Sequence, residues 1–477
     1  MKSNTIKINK KSFSNPDDVI NISKESEVEI KTPNPNEAIF KIYEDASNYY
    51  LSRNESSLAK EILKQKNNIF DIDLICPRLT LPQAPIIPTI LKDVFAIPPQ
   101  CVLNLKKDMS LEKSLIQIKP RLKPGKISKN DCLDYLISIH NEKMKDEEGA
   151  IVFVSGGWDS RIEISLINKA LNKNAKLVLV HILHNNEEAY VSKELAKFFD
   201  AKLIILEEND LEKVGQILKS QIDKEASKES NWRPTIYRYA AAARIAKDLY
   251  PDYKFFGYTP YQLKCRDYNV PILGNVPLEG RARAVTYKEN ITEKFLNSNF
   301  DENRSISLQD FTFKSFMSPS SSWDEFSRRD WLNWTTTYGV SYSRRTSLIP
   351  EVKVDSIFAS GKVVEKFMGL EGKDKFDETF IEYSLGKINP KILDIPILSS
   401  TGGHSFLADK VSKEKINTNK IAKKFFLNNF IEQMDTTNLK ITGDDKLIYD
   451  ALISQKKYAD MDMLENINQI IQFTDRL

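Results

Sequence analysis

The sequence predicts an α/β protein in which a domain built on a parallel sheet follows a smaller, mainly β domain. Two observations predict this class. Between residues 151 and 207, three apolar stretches of strand length alternate with two amphipathic stretches of helix length, as in strands joined by crossover helices. Before residue 113, short alternating stretches of apolar and polar residues and a proline-rich segment indicate strands and loops instead.

The smaller domain is predicted to span residues 1–112. Its first 75 residues are rich in Asn, Lys and Ser, and the proline-rich segment 76–100 is expected to be extended because proline interrupts helices. An irregular connector is predicted over 108–128. Strands are predicted at 27–30, 38–42 and 101–106.

The second domain is predicted to span residues 113–477 and to have a helical C-terminal part. Apolar residues recur at helical spacing in three segments, at 129–145, 159–172 and 186–199. Three segments are apolar throughout, as expected for strands covered by helices on both faces, at 151–154, 175–183 and 201–207. Strand and helix alternate, so we expect parallel strands and right-handed crossovers.

Composition and charge exclude several classes of protein. The chain has 477 residues, of which 41% are hydrophobic and 28% charged, as in globular proteins. Its 69 basic and 66 acidic residues leave a net charge of +3, so neither a nucleic acid nor a membrane surface is an expected partner. No apolar run is long enough to cross a membrane, and the four cysteines lack the spacing of a metal site or disulfide framework. We therefore expect a reduced, cytoplasmic protein, and an oligomer is possible.

The junction of the first apolar strand and the following helix, VSGGWDS at residues 154–160, predicts a site for a bound anion. Such a loop lies at the carboxyl edge of a parallel sheet, where ligands bind. Glycines admit a close approach of the backbone, and the helix offers free N–H groups and a positive dipole end. Asp159 fits this anion site if it binds a Mg²⁺ that bridges phosphate oxygens; the alternative is that it caps the helix. We predict nucleotide binding.

The motif SGGWDS resembles the pyrophosphate loop of the ATP-pyrophosphatase (adenine nucleotide alpha hydrolase) superfamily, whose domain has the HUP-like fold. Neighbouring stretches resemble the asparagine synthetase-like branch of that superfamily, at 132–161, 186–207, 231–247 and 344–370. The resemblance covers residues 115–400. It implies that ATP adenylates a carboxylate, that pyrophosphate leaves, and that a nitrogen nucleophile attacks the acyl-adenylate.

The resemblance also implies roles for individual residues. The pyrophosphate would be bound by four loop residues, namely Ser155, Gly156, Gly157 and Ser160, and Mg²⁺ by Asp159. Val154, directly before them, is a further cofactor-binding candidate. The adenine would meet the backbone at the end of the second strand, at Val180, His181 and Ile182; His181 has an alternative as a purely structural residue at a strand end. Gly257 corresponds to a glycine of a later nucleotide-binding loop. The implied cofactors are ATP and Mg²⁺, and the implied partner is a small-molecule or peptide carboxylate substrate.

The sequence departs from the family pattern in three places. No cysteine follows Met1, so we expect no glutaminase nucleophile, and residues 1–112 are interpreted as a degenerate, Ntn-type glutaminase-like domain because 93–105 resembles the strand that closes it. The family's Asp-Glu pair is missing from 255–268, where Asp267 is a candidate substitute. A motif glutamate is missing from 343–347. Candidate catalytic residues are Tyr342, Glu365 and Lys387, with Lys391 and Lys410 as alternatives to Lys387.

The sequence thus predicts an ATP-dependent amide ligase that forms AMP and pyrophosphate, lacks glutaminase activity and acts in specialised biosynthesis. Two alternatives stay open. One is an amidotransferase that uses ammonia, for example in the modification of surface polysaccharides. The other is a non-catalytic nucleotide-binding regulatory protein, which the missing acidic residues favour and the intact loop opposes.

Overall fold

Strands and helices follow one another along the whole described part of the computed structural model. This part is residues 5–398 without 16, 33–39, 76–88, 122–123, 125–126, 184–185, 208, 212, 215–216, 219–235, 257–300, 325–326, 329–330, 332–353, 356, 360, 372–373 and 375–378. Tyr342, Gly257, Asp267, Lys410 and the 343–347 motif lie outside the described residues.

The N-terminal region is built from two four-stranded sheets. Its strands are β1 (Ile6–Ile8), β2 (Val19–Ser23), β3 (Val28–Lys31), β4 (Lys41–Glu44), β5 (Asn48–Ser52), β6 (Val94–Ala96), β7 (Cys101–Leu105) and β8 (Lys119–Pro120). The strand orders are β1-β3-β7-β8 and β2-β5-β4-β6. Neighbouring strands are antiparallel except β1 and β3, which are parallel. Alternate residues face the core, as in β7, where Cys101, Leu103 and Leu105 are buried.

Two helices of this region were not expected from the sequence. The first, α1 (Glu55–Leu63), begins at Asn54, whose side chain accepts hydrogen bonds from the N–H groups of Ser56 and Ser57. The second, α2 (Leu111–Ile116), lies in the segment predicted to be an irregular connector, so that prediction was wrong. Each helix buries only a few apolar side chains one turn apart, and such a short pattern is hidden among the polar residues around it.

A five-stranded parallel sheet forms the second region. Its elements follow the predicted alternation: α3 (Lys129–Met144), β9 (Gly149–Phe153), α4 (Trp158–Ala170), β10 (Lys176–Ile182), α5 (Asn186–Phe198), β11 (Lys202–Leu206), α6 (Ile236–Leu249) and β12 (Lys254–Phe256). A fifth strand, β13 (Val354–Asp355), pairs with β12. The order is β11-β10-β9-β12-β13, and every pair is parallel. The predicted fold class is confirmed: a parallel α/β sheet preceded by a smaller, β-rich region.

Helices cover both faces of this sheet, which explains why its strands are mostly apolar. On one face, Val152 and Leu179 pack with side chains of α3, α4 and α5, joined by two later helices, α8 (Gly361–Met368) and α9 (Thr379–Ile388). On the other face, Ile151 and Val178 pack against the alanines of α6. The chain order reverses at β9, because β10 and β11 lie on one side of it and β12 and β13 on the other. The carboxyl end of β9 is therefore a switch point of the kind where ligands bind.

One helix from the second half of the chain packs against the N-terminal sheets. This helix, α7 (Glu302–Met317), carries Phe311, whose ring lies 5.4 Å from that of Phe95 in a T-shaped contact. Trp331, which follows α7, is buried in the same core and donates its indole N–H to the carbonyl of Phe316. The core around the N-terminal sheets is thus completed by residues from far along the chain.

No helix within the described ranges is long and apolar enough to cross a membrane.

Candidate functional site

The loop between β9 and α4 lies at the switch point of the parallel sheet. Val154 extends the pairing of β9 and β10, because its N–H donates to the carbonyl of Val180 at 2.9 Å. The chain then turns through Ser155 and Gly156 and enters α4 after Gly157. The sequence predicted this strand, loop and helix in this place, and the structure has them within two residues of the predicted bounds.

Two serines fold the loop onto itself. The Ser160 hydroxyl accepts a hydrogen bond from the N–H of Ser155 at 3.0 Å and donates to the Ser155 carbonyl at 3.1 Å. The two hydroxyl oxygens are also 3.1 Å apart. Ser160 is buried, whereas Ser155 is half-buried and within reach of a ligand. Direct binding of phosphate by Ser160 stays a prediction, since here its hydroxyl holds the loop in shape.

The start of α4 offers an anion-binding helix end. Gly157 is the N-cap residue, and no side chain caps the helix there. First-turn N–H groups have no partner within their own helix, and with the positive dipole end they favour an anion. Asp159 lies in this first turn and is 9% exposed, so its carboxylate is beside the loop without being the N-cap residue. Within the described part of the chain, no group of three or more His, Cys, Asp or Glu side chains forms a metal site.

The two glycines of the loop have different surroundings. A Cβ added to Gly156 would lie 2.6 Å from Cδ1 of Leu398, so a side chain has no room there. A Cβ added to Gly157 would meet only the carbonyl oxygen of Leu398 and the hydroxyl of Ser155, both at 3.6 Å, which is an ordinary contact. Gly156 is buried and Gly157 half-buried. Gly157 is therefore the glycine with space beside its Cα, and its N–H donates to the Ser155 hydroxyl at 3.4 Å.

The end of β10 lies beside the loop, but its side chains face the protein core. His181 is 1% exposed, and its Nδ1 is 3.2 Å from the carbonyl oxygen of Val154 and 3.1 Å from the hydroxyl of Ser192 in α5. Burial lowers the pKa of His181, an effect that the hydrogen bond to Val154 opposes. The Val180 carbonyl is bonded to Val154, and Ile182 is buried. Binding of adenine by this backbone stays a prediction.

Two candidate catalytic residues lie on exposed surfaces. Glu365 is exposed on α8. Lys387 is exposed in the last turn of α9, where its ammonium lies 5.9 Å from the ring centre of Tyr383. In the described ranges, neither side chain contacts the loop at 155–160. Tyr342, the third candidate, lies outside those ranges.

One residue next to the loop was missed by the sequence reasoning. Arg161 is 0% exposed, and its guanidinium donates to three backbone carbonyls from the segment after α9: Ile392 at 3.1 Å, Ile395 at 2.7 Å and Pro396 at 2.7 Å. Burial lowers the pKa of Arg161 to about 10. Its position in the sequence was a signal that could have identified it. A cation in the first turns of a helix is disfavoured by the positive end of the dipole, so such a residue needs stabilising contacts elsewhere.

The arrangement combines a helix end without a side-chain cap, a half-buried hydroxyl and a carboxylate at one edge of a parallel sheet. The N–H groups at such a helix end suit an anion such as phosphate or pyrophosphate. The neighbouring carboxylate suits a hard cation that accompanies the anion.

No family model matches the chain, and no curated protein matches it. Among solved structures, an NH₃-dependent NAD synthetase from Campylobacter jejuni subsp. jejuni NCTC 11168, in complex with the nitrate ion, is similar at 18% identity and a TM-score of 0.20, over 28% of this chain and 58% of that one. An NAD⁺ synthetase from Burkholderia pseudomallei is similar at 14% identity and a TM-score of 0.22, over 47% of this chain and 95% of that one. The match thus spans less than two thirds of the Campylobacter enzyme.

Proposed function

We propose that the chain is an ATP-dependent amide ligase of the asparagine synthetase-like branch, which adenylates a carboxylate and releases AMP and pyrophosphate. The observation that carries the proposal is the start of α4: a helix without a side-chain cap, entered through Ser155 and Gly157 at the switch point of a parallel sheet. A helix end in this position is suited to an anionic leaving group. The SGGWDS motif supports pyrophosphate as that group.

In this proposal, the loop residues divide into two roles. Ser155 and the backbone at Gly157 bind the pyrophosphate part of ATP, because both are half-buried. Ser160 and Gly156 are buried and shape the loop. Hydrogen bonds to the departing pyrophosphate strengthen as its charge develops, and one such donor lowers the barrier by about 3 kcal/mol.

Asp159 would bind the Mg²⁺ that accompanies ATP. Mg²⁺ keeps several waters and is held by one or two carboxylates together with the phosphates of the substrate. One carboxylate in the first turn of α4 therefore fits this metal. The ion would neutralise charge on the phosphate oxygens.

We further propose that the nitrogen comes from an amine of the substrate rather than from glutamine. Glutamine hydrolysis of this kind requires an activated nucleophile such as a cysteine thiolate. Cys101 is fully buried in β7, and burial raises the pKa of its thiol well above the ordinary value, so it is not a thiolate at neutral pH. Cys132, the other cysteine in the part of the chain that the structure describes, is buried as well.

The test is exchange of labelled pyrophosphate into ATP in the presence of candidate carboxylic acids. We expect exchange with the cognate acid, with AMP and not ADP as the nucleotide product. Asp159→Ala should reduce exchange by about 100-fold or more and abolish metal-dependent ATP binding, because the site loses its carboxylate. The control is Asp146→Ala, which removes a carboxylate that is 83% exposed and should change nothing.

ADP as the product would refute the ligase proposal. Equal ATP affinity of wild type and Asp159→Ala in calorimetry would refute the role of the carboxylate. Tight ATP binding without exchange, over acids and peptides of many kinds, would favour the regulatory alternative.

A further inference from the structure

A backbone segment from the end of the described chain lies against the loop. We call residues 392–398 the strap. The N–H of Leu398 donates to the carbonyl of Gly156 at 2.9 Å. The Leu398 side chain packs against Gly156. A Cβ added to Gly156 would lie 2.6 Å from Cδ1 and 2.9 Å from Cγ of Leu398. The first glycine of the motif is thus covered by protein.

Arg161 binds the strap at its first residue and at two residues in its middle. Three hydrogen bonds of 2.7–3.1 Å join its guanidinium to the carbonyls of Ile392, Ile395 and Pro396. Arg161 is fully buried, and among the described residues no carboxylate forms an ion pair with it. A buried, unpaired guanidinium is costly, and its hydrogen bonds to carbonyls offset part of that cost. Such an arrangement is expected where the geometry of the strap matters.

The strap also has a fixed path. α9 packs against α4, and a 3-10 helix at Pro390–Asp394 turns the chain back towards the start of α4. Leu398 belongs to the same apolar core as Ile162 and Ile392. The strap is therefore anchored by a helix at its beginning, by Arg161 along its length and by Gly156 at its end.

We propose that the strap is a wall of the pyrophosphate site, and that Arg161 is the positioning residue that seats it against Gly156 and so keeps the loop in its anion-binding form. The inference rests on the proposed function and assigns each glycine its role. Gly156 is a glycine because of Leu398, and Gly157 is a glycine because of the ligand. The simpler alternative, that both glycines make room for the ligand, predicts a different outcome for the same variants.

The first experiment is a double-mutant cycle on Gly156 and Leu398, read out by calorimetric binding of Mg·pyrophosphate. Gly156→Ala should weaken binding by about tenfold, the effect of losing about one net hydrogen bond from the ordered loop. In the Leu398→Ala background the same change should cost less than about threefold, because the two closest atoms, Cδ1 and Cγ, are removed and only the Cβ contact at 3.0 Å remains, so the two effects do not add. Gly157→Ala is the matched control: its methyl meets only ordinary contacts in the protein, so it should weaken binding equally in both backgrounds.

The second experiment measures the strap without any ligand. Hydrogen exchange of the peptide that contains Leu398 should be slow in the wild type, because its N–H is bonded to Gly156. Arg161→Lys keeps the charge but loses the planar fork, and Arg161→Gln loses both. Both variants should speed this exchange and weaken pyrophosphate binding by about tenfold or more. Ile167→Val, a buried change in α4 that keeps the hydrogen bonds of Arg161 and Leu398, controls for a general loss of stability and should leave both measurements unchanged.

The outcomes separate the two proposals. A wild type with a slow-exchanging strap but no affinity for pyrophosphate or ATP overturns the proposed function, and with it the strap as a wall of that site. Two results would overturn the strap inference alone. One is that Gly156→Ala and Leu398→Ala weaken pyrophosphate binding additively. The other is that Arg161→Lys speeds hydrogen exchange but leaves pyrophosphate binding unchanged. Two results together support the strap inference. The effects of Gly156→Ala and Leu398→Ala on binding are non-additive, and Arg161→Lys both speeds hydrogen exchange and weakens pyrophosphate binding.

Discussion

His181 is a residue whose environment makes the folded state sensitive to pH. With the carbonyl of Val154 as an acceptor, Nδ1 carries the proton, and Nε2 is a buried nitrogen without a hydrogen-bond partner among the described residues. Protonation would place a charge and a second N–H in an apolar environment. Burial accordingly lowers the pKa of His181 below its ordinary value near 6.5.

The sign of the pH effect follows from linkage. Below pH 6.5 the unfolded chain takes up a proton at this position while the folded chain does not, so the free energy of unfolding falls as the pH falls. We expect a loss of up to about 1.4 kcal/mol per pH unit in the window below 6.5. His181→Asn, which keeps a donor for Val154, should lose less stability between pH 7.5 and 5.5 in urea unfolding. Equal losses of stability in the wild type and in His181→Asn would contradict this. Between pH 7.5 and 8.5, the free energies of unfolding of the two proteins should change with pH in the same way.

At the scale of single elements, the start of β9 tolerates no side chain. A Cβ added to Gly149 would lie 2.8 Å from the carbonyl oxygen of Lys176 in the neighbouring strand and 2.7 Å from the ring of Tyr253. The backbone atom cannot move without breaking the pairing of β9 and β10, the two strands that present the loop.

Gly149→Ala should therefore destabilise the protein by about 1–3 kcal/mol, the cost of overpacking. The matched control is Gly386→Ala in α9, where the new Cβ meets only Cδ1 of Leu393 at 4.0 Å. Because alanine favours helix, the control should stabilise by about 0.5–1 kcal/mol. Denaturation midpoints measure both, and equal signs for the two variants would refute the packing argument.

The sequence predicted the elements of the parallel sheet well because each carries a long periodic or continuously apolar pattern. The same reasoning missed α1 and α2, whose apolar patterns are short. At the site, it found the loop from local chemistry but not the role of Arg161, whose partners Ile392, Ile395 and Pro396 are more than 200 residues away. The periodicity of a short segment carries no information about contacts between residues so far apart in the sequence.

At the scale of the whole molecule, an ion cluster joins α7 to the N-terminal region. Arg304 donates to both oxygens of Asp71, at 2.8 and 2.6 Å, and to Asp73 at 2.5 Å. Both carboxylates are almost fully buried. Burial raises the pKa of Asp73, although the hydrogen bond from Arg304 lowers it.

The prediction of a domain boundary near residue 112 stays a prediction, but the core of the N-terminal sheets includes Met317 and Trp331.

Arg304→Met should destabilise the protein by about 2–4 kcal/mol, because two buried carboxylates lose their counter-charge. The value is below that of a fully buried pair, since the Arg304 side chain is 41% exposed and screened by solvent. Adding Asp73→Asn to this variant should recover stability by removing one of the two uncompensated charges. Urea unfolding of the single and double variants measures this, and a further loss in the double variant would contradict it.

The contact between Arg161 and the strap has a consequence for the timing of biosynthesis. Arg161 and Ile392 are 231 positions apart, so the guanidinium is made long before its acceptors. At about 5–20 residues per second, a ribosome needs about 10–45 s to cover that interval. During this time the β9–α4 unit exists in the nascent chain with the Gly156 carbonyl unbonded by Leu398 and an arginine awaiting burial. A nascent chain that ends before the strap would accordingly carry the loop at 155–160 without its contact to Leu398, and under the proposed function it would first bind ATP once the strap has left the ribosome.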